Sequence, residues 1–186
     1  MSIKFVDNGK EVPVDETGEL WIKGPNVFKG YYDNPKATAE SLDAEGWYRT
    51  GDIGYIDKDR NIYITDRVKE LIKYNGFQVA PAQLEGLLLA HPAVNDVAVV
   101  GMFSEDRATE LPRAYIVPAQ GYKGDAKLEK DIHEWLNKKI APYKRLRGGI
   151  RFNDIIPKSA AGKVLRRVLV EQAKKEEAQS VGRSKL

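Results

Sequence analysis

The sequence predicts an α+β protein in two parts, a β-rich segment over residues 1–65 and a compact mixed unit from residue 66 onward. Three observations favour this class. Runs with period-two alternation fill the first part, apolar β-branched runs and an amphipathic helical run fill the second, and Gly, Pro and Asn punctuate both. The 186 residues, 42% of them hydrophobic, are enough to bury a core without disulfides or metal.

The first part contains short strands joined by turns. Residues 3–7 and 18–23 alternate polar and apolar side chains, and two further strands are predicted over residues 47–57 and 61–65. A short helix is predicted over residues 35–42. Few large apolar side chains are available to cover these strands, so we do not expect residues 1–65 to form a complete domain alone.

The second part begins with a hairpin and a helix. Residues 70–74 and 77–79 flank Asn75-Gly76, a strong hairpin signal because both residues tolerate positive φ. Pro81 occupies a position that suits its fixed φ at the start of a helix over residues 82–89. Residues 94–101 and 113–117 are rich in β-branched and apolar side chains and predict two strands.

Two more helices complete the second part. Asp125 is the expected N-cap of a helix over residues 126–140. Its apolar residues recur at helical spacing and are expected to face the core: Leu128, Ile132, Trp135, Leu136 and Ile140. A strand over residues 150–152 and a C-terminal helix over residues 164–179 give the order β-β-α-β-β-α-β-α for this unit.

Composition excludes several kinds of chemistry. The absence of Cys excludes iron–sulfur clusters, Cys-ligated zinc, thiol catalysis and a disulfide scaffold. His91 and His133 are the only two histidines, so a His-rich metal site is also excluded and no metal site is predicted in this chain. No apolar run approaches the ~20 residues that span a bilayer. The first residues lack the apolar region of a secretory signal.

Positive charge is concentrated near the C-terminal end. The formal net charge of the chain is +3, yet residues 144–167 carry eight basic side chains and one acidic one. Such a concentration is typical of a solvated face or an anion-binding surface. No run of RNA-binding aromatic residues accompanies it, so nucleic acid is not the predicted partner.

The first cluster that could carry chemistry is the run from Trp47 to Asp52, in which Gly51 precedes Asp52. A carboxylate next to glycine can approach a ligand closely, and one carboxylate can accept hydrogen bonds from two vicinal hydroxyls of a ribose. The same spacing also suits an aspartate that caps a turn, and the residues alone favour that interpretation.

The second cluster surrounds the Asn75-Gly76 turn. Arg67, Lys69 and Lys73 precede this turn, and cations near a tight glycine turn suit phosphate binding. If residues 69–73 form one strand, Lys69 and Lys73 lie on the same face. The alternative is an exposed edge strand protected by lysines, which fits the residues equally well.

The third cluster is the run PKSAAGKVLRR at residues 157–167. Its small residues and Gly162 predict a flexible loop that presents Lys163 just before a helix, where an ammonium could reach a phosphate or a developing oxyanion. The GxxxxGK[ST] spacing of a phosphate-binding P-loop is absent. The alternative is a solvated loop with charges flanking a helix.

Together these motifs resemble the C-terminal third of the adenylate-forming enzymes, which comprise acyl- and aryl-CoA ligases, luciferases and peptide-synthetase adenylation domains. The resemblance covers residues 18–167 and is closest to 4-coumarate–CoA ligase-like enzymes and beetle luciferases. The motifs that carry it follow one another in the family's order: GELWIKGP at residues 18–25, GYY at 30–32, YRTGD at 48–52, DRVK at 66–69, KYNGFQVAP at 73–81 with Glu85, and PKS with GK at 157–163.

The resemblance implies a role for each matching residue. Asp52 would bind the ribose hydroxyls of ATP, and Arg67 would help to hold the nucleotide. Asp66 falls at the family's hinge position, which would make residues 66–180 the mobile C-terminal domain and residues 1–65 the β-rich end of the N-terminal core. Lys163 would serve acyl-AMP formation, whereas Lys73 and Gln78 would serve thioester formation. Gly76 would border the tunnel for the pantetheine arm of coenzyme A.

The implied reaction uses ATP, magnesium and coenzyme A to convert a carboxylic acid into an acyl-CoA. The sequence contains no Ser/Thr/Gly-rich phosphate loop, no magnesium-binding Thr-Glu segment and no acid-binding pocket of the family's N-terminal core. We therefore expect the chain to need that core, in cis or in trans, for activity. The alternatives are a non-catalytic module that binds a nucleotide, coenzyme A or a separate subunit, and a luciferase-like adenylating oxygenase.

The chain ends in Ser184, Lys185 and Leu186. A terminal S-K-L is an address read by the peroxisomal import receptor. The preceding residues are small and polar, as expected of an exposed tail, so residues 181–186 are predicted to be a targeting tail and the protein to be peroxisomal. Chance occurrence of this tripeptide is the alternative.

Overall fold

The computed structural model describes the backbone of residues 1–183 and the side chains of residues 1–176. It divides into two compact units, residues 1–69 and residues 70 onward, with the boundary between Lys69 and Glu70. Ser184, Lys185 and Leu186 lie outside the described residues.

The first unit is built on a five-stranded antiparallel sheet in the order β2-β1-β3-β4-β5. Its strands are β1 (Ser2–Asp7), β2 (Lys10–Glu11), β3 (Gly18–Lys23), β4 (Tyr48–Ile56) and β5 (Ile62–Arg67). Helix α1 (Pro35–Ser41) is capped by the Asn34 side chain, which accepts a hydrogen bond from the Ala37 amide. Among the described residues of the first unit, the buried apolar side chains are those of Phe5, Val6 and Ile53.

Two features of this sheet differ from the sequence prediction. Strand β2 was not predicted, although Asn8 and Gly9 form its two-residue turn with φ values of 49° and 77°. Strand β5 continues to Arg67, beyond the predicted end at residue 65. Gly54 allows β5 to approach, since a Cβ there would lie 2.1 Å from the carbonyl oxygen of Tyr63.

The second unit begins with the predicted hairpin, β6 (Ile72–Tyr74) and β7 (Phe77–Val79). Its elements continue as α2 (Pro81–Leu89), β8 (Val94–Ser104), β9 (Thr109–Pro118), α3 (Ala126–Asn137), β10 (Ile150–Phe152) and α4 (Arg166–Arg183). Strands β10, β9 and β8 form one sheet in that order, with β9 antiparallel to β8 and parallel to β10.

The β8–β9 sheet is buried on both faces, which explains the unbroken apolar run at residues 97–100. Val97 and Val99 belong to a core cluster with α2 and α3, whereas Ala98 and Val100 belong to a second cluster with Leu169 of α4. Alternate side chains of one strand point to opposite faces. The sheet is therefore the middle layer of the second unit.

Two helix boundaries differ from the prediction for local reasons. Helix α3 ends at Asn137, before the predicted end at residue 140, and Ala141, which precedes Pro142, is extended at φ −65° and ψ 149°. Helix α4 begins at Arg166, because Val164 instead pairs with Lys158 in a β-bridge. Leu128, Ile132 and Leu136 are buried as predicted, while Trp135 and Ile140 are partly buried against the same cluster. No described helix is both long enough and apolar enough to cross a bilayer.

Candidate functional site

Lys163 lies in a closed hairpin turn, which we call the Lys163 loop (residues 158–164). The Ser159 amide donates to the carbonyl oxygen of Lys163 at 2.8 Å, and the Ser159 hydroxyl accepts from the Lys163 amide at 3.2 Å. Gly162 adopts φ +78°, and a Cβ there would meet no atom within 4 Å. Glycine is thus favoured at this position by the backbone conformation and not by crowding.

An ion pair ties the Lys163 loop to the central sheet. The ammonium of Lys158 lies 2.6 Å from Oδ2 of Asp96, near the beginning of β8. The backbone of Lys158 pairs with that of Val164, so the ion pair fixes the base of the turn. Lys163 itself is exposed and lies next to the bridge residue Val164.

Most basic side chains of residues 144–167 form hydrogen bonds or ion pairs. Arg166 donates from Nε to Glu70 at 2.9 Å and from Nη2 to Glu85 at 3.2 Å, and the other carboxylate oxygen of Glu85 accepts from the Val99 amide. Further partners hold Lys144, Arg147, Arg151, Lys158 and Arg167. Within residues 1–176, the Lys163 ammonium has no hydrogen bond or ion pair, so it is available to an anionic ligand.

Lys73 and Gln78 face each other across the β6–β7 hairpin. Their Cα atoms are register partners, and both residues are exposed. Directly opposite side chains lie on the same face of a two-stranded sheet. The hairpin therefore brings together the two residues that the resemblance assigned to one reaction step. Among the described side chains, none pairs with the Lys73 ammonium.

The turn of this hairpin has the conformation that its sequence requires. Asn75 and Gly76 have φ values of 46° and 81°, and a Cβ on Gly76 would point into open space. The expectation that Lys69 and Lys73 share a strand face is wrong, because Lys69 lies in a 3₁₀ turn at Val68–Glu70. Only Lys73 of the two belongs to β6.

Thr109 and Glu110, which the sequence did not single out, hold the backbone of β6. The Thr109 hydroxyl accepts from the Asn75 amide at 2.8 Å and donates to the Lys73 carbonyl oxygen at 2.9 Å. The Glu110 carboxylate accepts from the Lys73 amide at 2.7 Å. These contacts join residues 34 to 37 positions apart, so no local pattern indicates them.

The Lys163 loop and strand β6, which carries Lys73, are attached to opposite ends of the two-stranded β8–β9 ribbon. Asp96 lies near the start of β8, whereas Thr109 pairs with Ser104 at the far end of β8. Ser104 lies eight positions after Asp96, or about 25 Å further along the strand at the rise of a β-strand. The second unit thus carries two exposed lysines on anchors far apart from each other.

In the first unit, Asp52 and Arg67 form a cross-strand ion pair. Nε of Arg67 lies 2.9 Å from Oδ1 of Asp52, and their Cα atoms are register partners of β4 and β5. Residues 50–52 bulge from the ladder opposite Leu20, with Gly51 at φ +74°. Bulges of this kind redirect a side chain at a sheet edge. The sequence alternative of a simple turn cap does not describe Asp52, which lies within β4.

Asp66 is a buried carboxylate next to this pair. It is 8% exposed and lies in β5 opposite Ile53, directly after a register shift between Ile53 and Gly54. Its Oδ1 accepts from the Arg67 amide at 2.7 Å. The hinge assigned to Asp66 by the resemblance thus falls inside the last strand of the first unit, a few residues before the boundary.

Tyr48, on the same strand as Asp52, belongs to an aromatic cluster. The Phe28 ring packs edge-on against Tyr31 and Tyr48, with centroids 5.0 and 5.1 Å apart. Burial raises the pKa of the Tyr48 hydroxyl, and the nearby Tyr31 and Asp52 raise it further. Tyr48 is therefore a neutral hydrogen-bonding group at physiological pH.

Both histidines contact other residues of the second unit. His91 is buried after α2, where its Nδ1 accepts from the Ala93 amide and its ring packs edge-on against Trp135. His133 lies 3.9 Å from Glu129 on α3. Over residues 1–176, no group of three or more acidic or histidine side chains could hold a metal ion.

Comparison with known proteins identifies relatives over nearly the whole chain. Residues 83–163 match the family model for the AMP-binding enzyme C-terminal domain. The chain is 48% identical to 4-coumarate–CoA ligase-like 4 of Oryza sativa subsp. japonica over 90% of its length and 29% of the relative. It is 50% identical to peroxisomal OPC-8:0-CoA ligase 1 of Arabidopsis thaliana over 93% of its length and 31% of the relative.

A solved structure shows the same fold. ATP-bound MatB from Rhodopseudomonas palustris superposes with a TM-score of 0.83 at 34% identity, over 93% of this chain and 34% of that one. The chain spans about a third of the length of each of these three relatives. It therefore belongs to the adenylate-forming enzyme family and corresponds to the C-terminal part of the CoA ligases related to 4-coumarate–CoA ligase.

Proposed function

We propose that this chain supplies the C-terminal part of an ATP-dependent acyl- or aryl-CoA ligase, which forms an acyl-AMP and then an acyl-CoA. The observation that carries the proposal is the attachment of Lys163 and Lys73 to opposite ends of the β8–β9 ribbon. A rigid unit built this way presents one lysine at a time to a single reaction centre, which suits a two-step reaction.

In the first step, a carboxylate oxygen of the acid attacks the α-phosphorus of ATP, and pyrophosphate leaves. Negative charge develops on the oxygens around the reacting phosphorus, and a positioned cation stabilises that transition state. Lys163 supplies the cation, since its ammonium is exposed and without a partner in the described part of the chain while its loop is fixed by Ser159 and Asp96.

In the second step, the thiol of coenzyme A attacks the acyl carbonyl carbon, and AMP leaves with the electrons of the broken C–O bond. The β6–β7 face serves this step. Lys73 and Gln78 provide polar groups on one face of the hairpin, and Gly76 leaves space beside the turn for the narrow pantetheine arm.

The first unit contributes nucleotide binding. Asp52 accepts hydrogen bonds from the ribose hydroxyls, and Arg67 fixes the Asp52 carboxylate through their ion pair while contributing positive charge. We propose that residues 66–180 rotate between the two steps about Asp66. Such a rotation gates the reaction and would contribute to the turnover rate.

The acid pocket and the magnesium ligands belong, in our proposal, to an N-terminal core acting in cis or in trans. A peroxisomal location and binding of the S-K-L tail by the import receptor are part of the same proposal. The similarity to a relative named as peroxisomal supports this location.

A chimera tests the proposed function. This chain would replace the corresponding C-terminal part of the rice or Arabidopsis relative, and the product would be incubated with ATP, magnesium and a panel of carboxylic acids. We expect pyrophosphate release and acyl-AMP, followed by acyl-CoA when coenzyme A is added. The relative's core alone and the intact relative are the negative and positive controls. A chimera no more active than the core alone would contradict the proposal.

A further inference from the structure

The β6–β7 hairpin is a separate two-stranded sheet, so its position depends on contacts other than a shared ladder. Isolated hairpins of this size are only marginally stable. The outward-facing amide and carbonyl groups of Lys73 are both used by side chains of β9, the amide by Glu110 and the carbonyl by Thr109. The Asn75 amide at the turn is held by the same Thr109 hydroxyl.

Packing holds Thr109 and Glu110 in place. Thr109 is only 7% exposed. Gly101 on β8 leaves room for the Glu110 carboxylate, since a Cβ at Gly101 would lie 3.2 Å from both Oε2 of Glu110 and Cγ2 of Ile72. On the other strand of the hairpin, the Phe77 ring stacks on Tyr143 with centroids 4.5 Å apart. The hairpin is thus fixed along both strands.

These contacts engage the backbone and leave the ends of the side chains free. Among the described side chains, none hydrogen-bonds to or forms an ion pair with the terminal polar group of Lys73 or Gln78, although the backbone of Lys73 makes two hydrogen bonds to β9. Fixing the backbone while leaving a reactive side chain accessible is how proteins preorganise a functional group.

We propose that Thr109 and Glu110 are positioning residues for the thioester-forming step: they fix the backbone of Lys73 and Asn75 and so aim the Lys73–Gln78 face. The proposal rests on the proposed function. Neither residue need touch a substrate, because each acts through the backbone of β6. The Lys163 loop has its own anchor at Asp96, so acyl-AMP formation should not depend on Thr109 or Glu110.

Thr109 is suited to this role because a hydroxyl donates one hydrogen bond and accepts others at the same time. Thr109→Val keeps the shape but removes both contacts, whereas Thr109→Ser keeps the hydroxyl. Glu110→Gln keeps one acceptor oxygen but loses the charge. Thr38→Val is a matched control, since the Thr38 hydroxyl also accepts from an amide, that of Tyr31, and donates to a carbonyl, that of Asn34, in the first unit.

Amide hydrogen exchange in the 186-residue chain tests the contacts directly. We expect Thr109→Val to speed exchange of the Asn75 amide by about tenfold, the effect of losing one net hydrogen bond, and Thr109→Ser to restore protection. Glu110→Gln should speed exchange of the Lys73 amide by a smaller factor. The Val99 amide, held by Glu85, serves as an internal reference. Unchanged exchange at Asn75 in Thr109→Val would overturn the proposal.

Half-reactions of the chimera test the consequence. In Thr109→Val we expect thioester formation from supplied acyl-AMP to slow by about tenfold, with acyl-AMP formation within about twofold of the parent and rescue by Thr109→Ser. Thr38→Val should slow neither step. An equal loss of both steps in Thr109→Val would mean a merely structural role and would overturn the proposal. An inactive parent chimera would count against the proposed function, while the exchange experiment would still decide whether Thr109 fixes β6.

Discussion

The ammonium of Lys158 lies 2.6 Å from the Oδ2 atom of Asp96, although 62 positions separate the two residues in the chain. Lys158 forms the base of the Lys163 loop, and Asp96 lies near the start of strand β8 in the second unit. The side chains are 39% and 28% exposed, so solvent screens the pair. Its importance lies in holding the loop that carries Lys163.

Removing this anchor should impair the first half-reaction. In Asp96→Asn, the loop keeps its internal Ser159 hydrogen bonds but loses its ionic tie to β8, so we expect acyl-AMP formation by the chimera to fall about tenfold. Thioester formation from supplied acyl-AMP should be unaffected. Glu134→Gln, which breaks an exposed ion pair with Lys130 on α3, is the control and should leave both rates unchanged. Stopped-flow measurement of pyrophosphate release gives the first rate.

The two exposed lysines should separate the half-reactions. We expect Lys163→Ala to slow acyl-AMP formation by about 10²–10³-fold, the usual effect of losing one transition-state donor, and to spare thioester formation. Lys73→Ala should do the reverse. Lys130→Ala removes an exposed lysine of α3 and is the control. Equal losses of both steps in both variants would contradict the assignment of one lysine to each step.

The sheet of the first unit should not tolerate a methyl group at Gly54. A Cβ at this position would lie 2.1 Å from the backbone oxygen of Tyr63, so Gly54→Ala must push β4 and β5 apart and should destabilise the first unit by about 3 kcal/mol or more. Trp21 and Trp47 report on this unit by fluorescence during denaturant unfolding.

Gly86→Ala is the matched control for Gly54→Ala. Gly86 lies on helix α2, where an added Cβ would meet no atom within 4 Å. Alanine is favoured over glycine in a helix interior, so this variant should stabilise the second unit by up to about 1 kcal/mol. Trp135 reports on that unit. Similar destabilisation by both substitutions would argue against the close approach of β5 to Gly54.

The Asp57 carboxyl should titrate below its ordinary range. The Asn61 side-chain amide donates to it at 3.0 Å and lowers the pKa of Asp57, an effect that the Asn61 backbone amide reinforces. Because the folded pKa is depressed, the associated stabilisation is present above the unfolded pKa and is lost as the pH falls through the folded value, below about pH 4.

Replacing Asn61 tests this linkage. Asn61→Ala should raise the pKa of Asp57 towards its ordinary value, since it removes the side-chain donor that lowers this pKa most and leaves the weaker contributions of the Asn61 and Asp59 backbone amides and the Tyr63 side chain. Carboxyl-detected NMR titration measures the change. Asn95→Ala, an exposed substitution in the second unit, should leave the Asp57 curve in place. An unchanged curve in Asn61→Ala would contradict the role given to the side-chain hydrogen bond.

The C-terminal tripeptide should direct the protein to peroxisomes. A fluorescent protein fused in front of the last residues should colocalise with a peroxisomal marker, and removal of Ser184, Lys185 and Leu186 should return the signal to the cytosol. A fusion with Leu186 replaced by Asp is a control of equal length. A diffuse signal from the unaltered tail would reject the proposed address.

Local sequence signals predicted most of the secondary structure. Asn75-Gly76 predicted its hairpin because both residues adopt positive φ, and the same signal at Asn8-Gly9 marks the hairpin that was missed. The extensions of β8 and β9 to Ser104 and Thr109 were also missed, because polar residues there are held as strand by cross-strand pairing and not by local propensity.

The candidate site was less accessible to sequence reasoning. The residue types at Lys163, Lys73 and Asp52 pointed to anion and ribose binding, but the pairing of Lys158 with Asp96 and of Thr109 with Lys73 arises only on folding. Each contact joins residues tens of positions apart, and no periodicity or turn chemistry encodes such a distance. Lys69 is the opposite case. Its spacing from Lys73 suits a shared strand face, yet Lys69 lies in a 3₁₀ turn.

The contacts of Arg166 with Glu70 and Glu85, which we call the Arg166 clamp, matter for protein engineering. Arg166 begins α4 just after the Lys163 loop, and it binds Glu70, the first residue of the second unit, as well as Glu85 of α2. A recombinant fragment that starts at Glu70 would keep both contacts. A fragment that starts at Ile72 would lack Glu70, one of the two carboxylates that bind Arg166. The choice of a cloning boundary two residues apart would thus decide how firmly the excised unit holds the segment that carries Lys163.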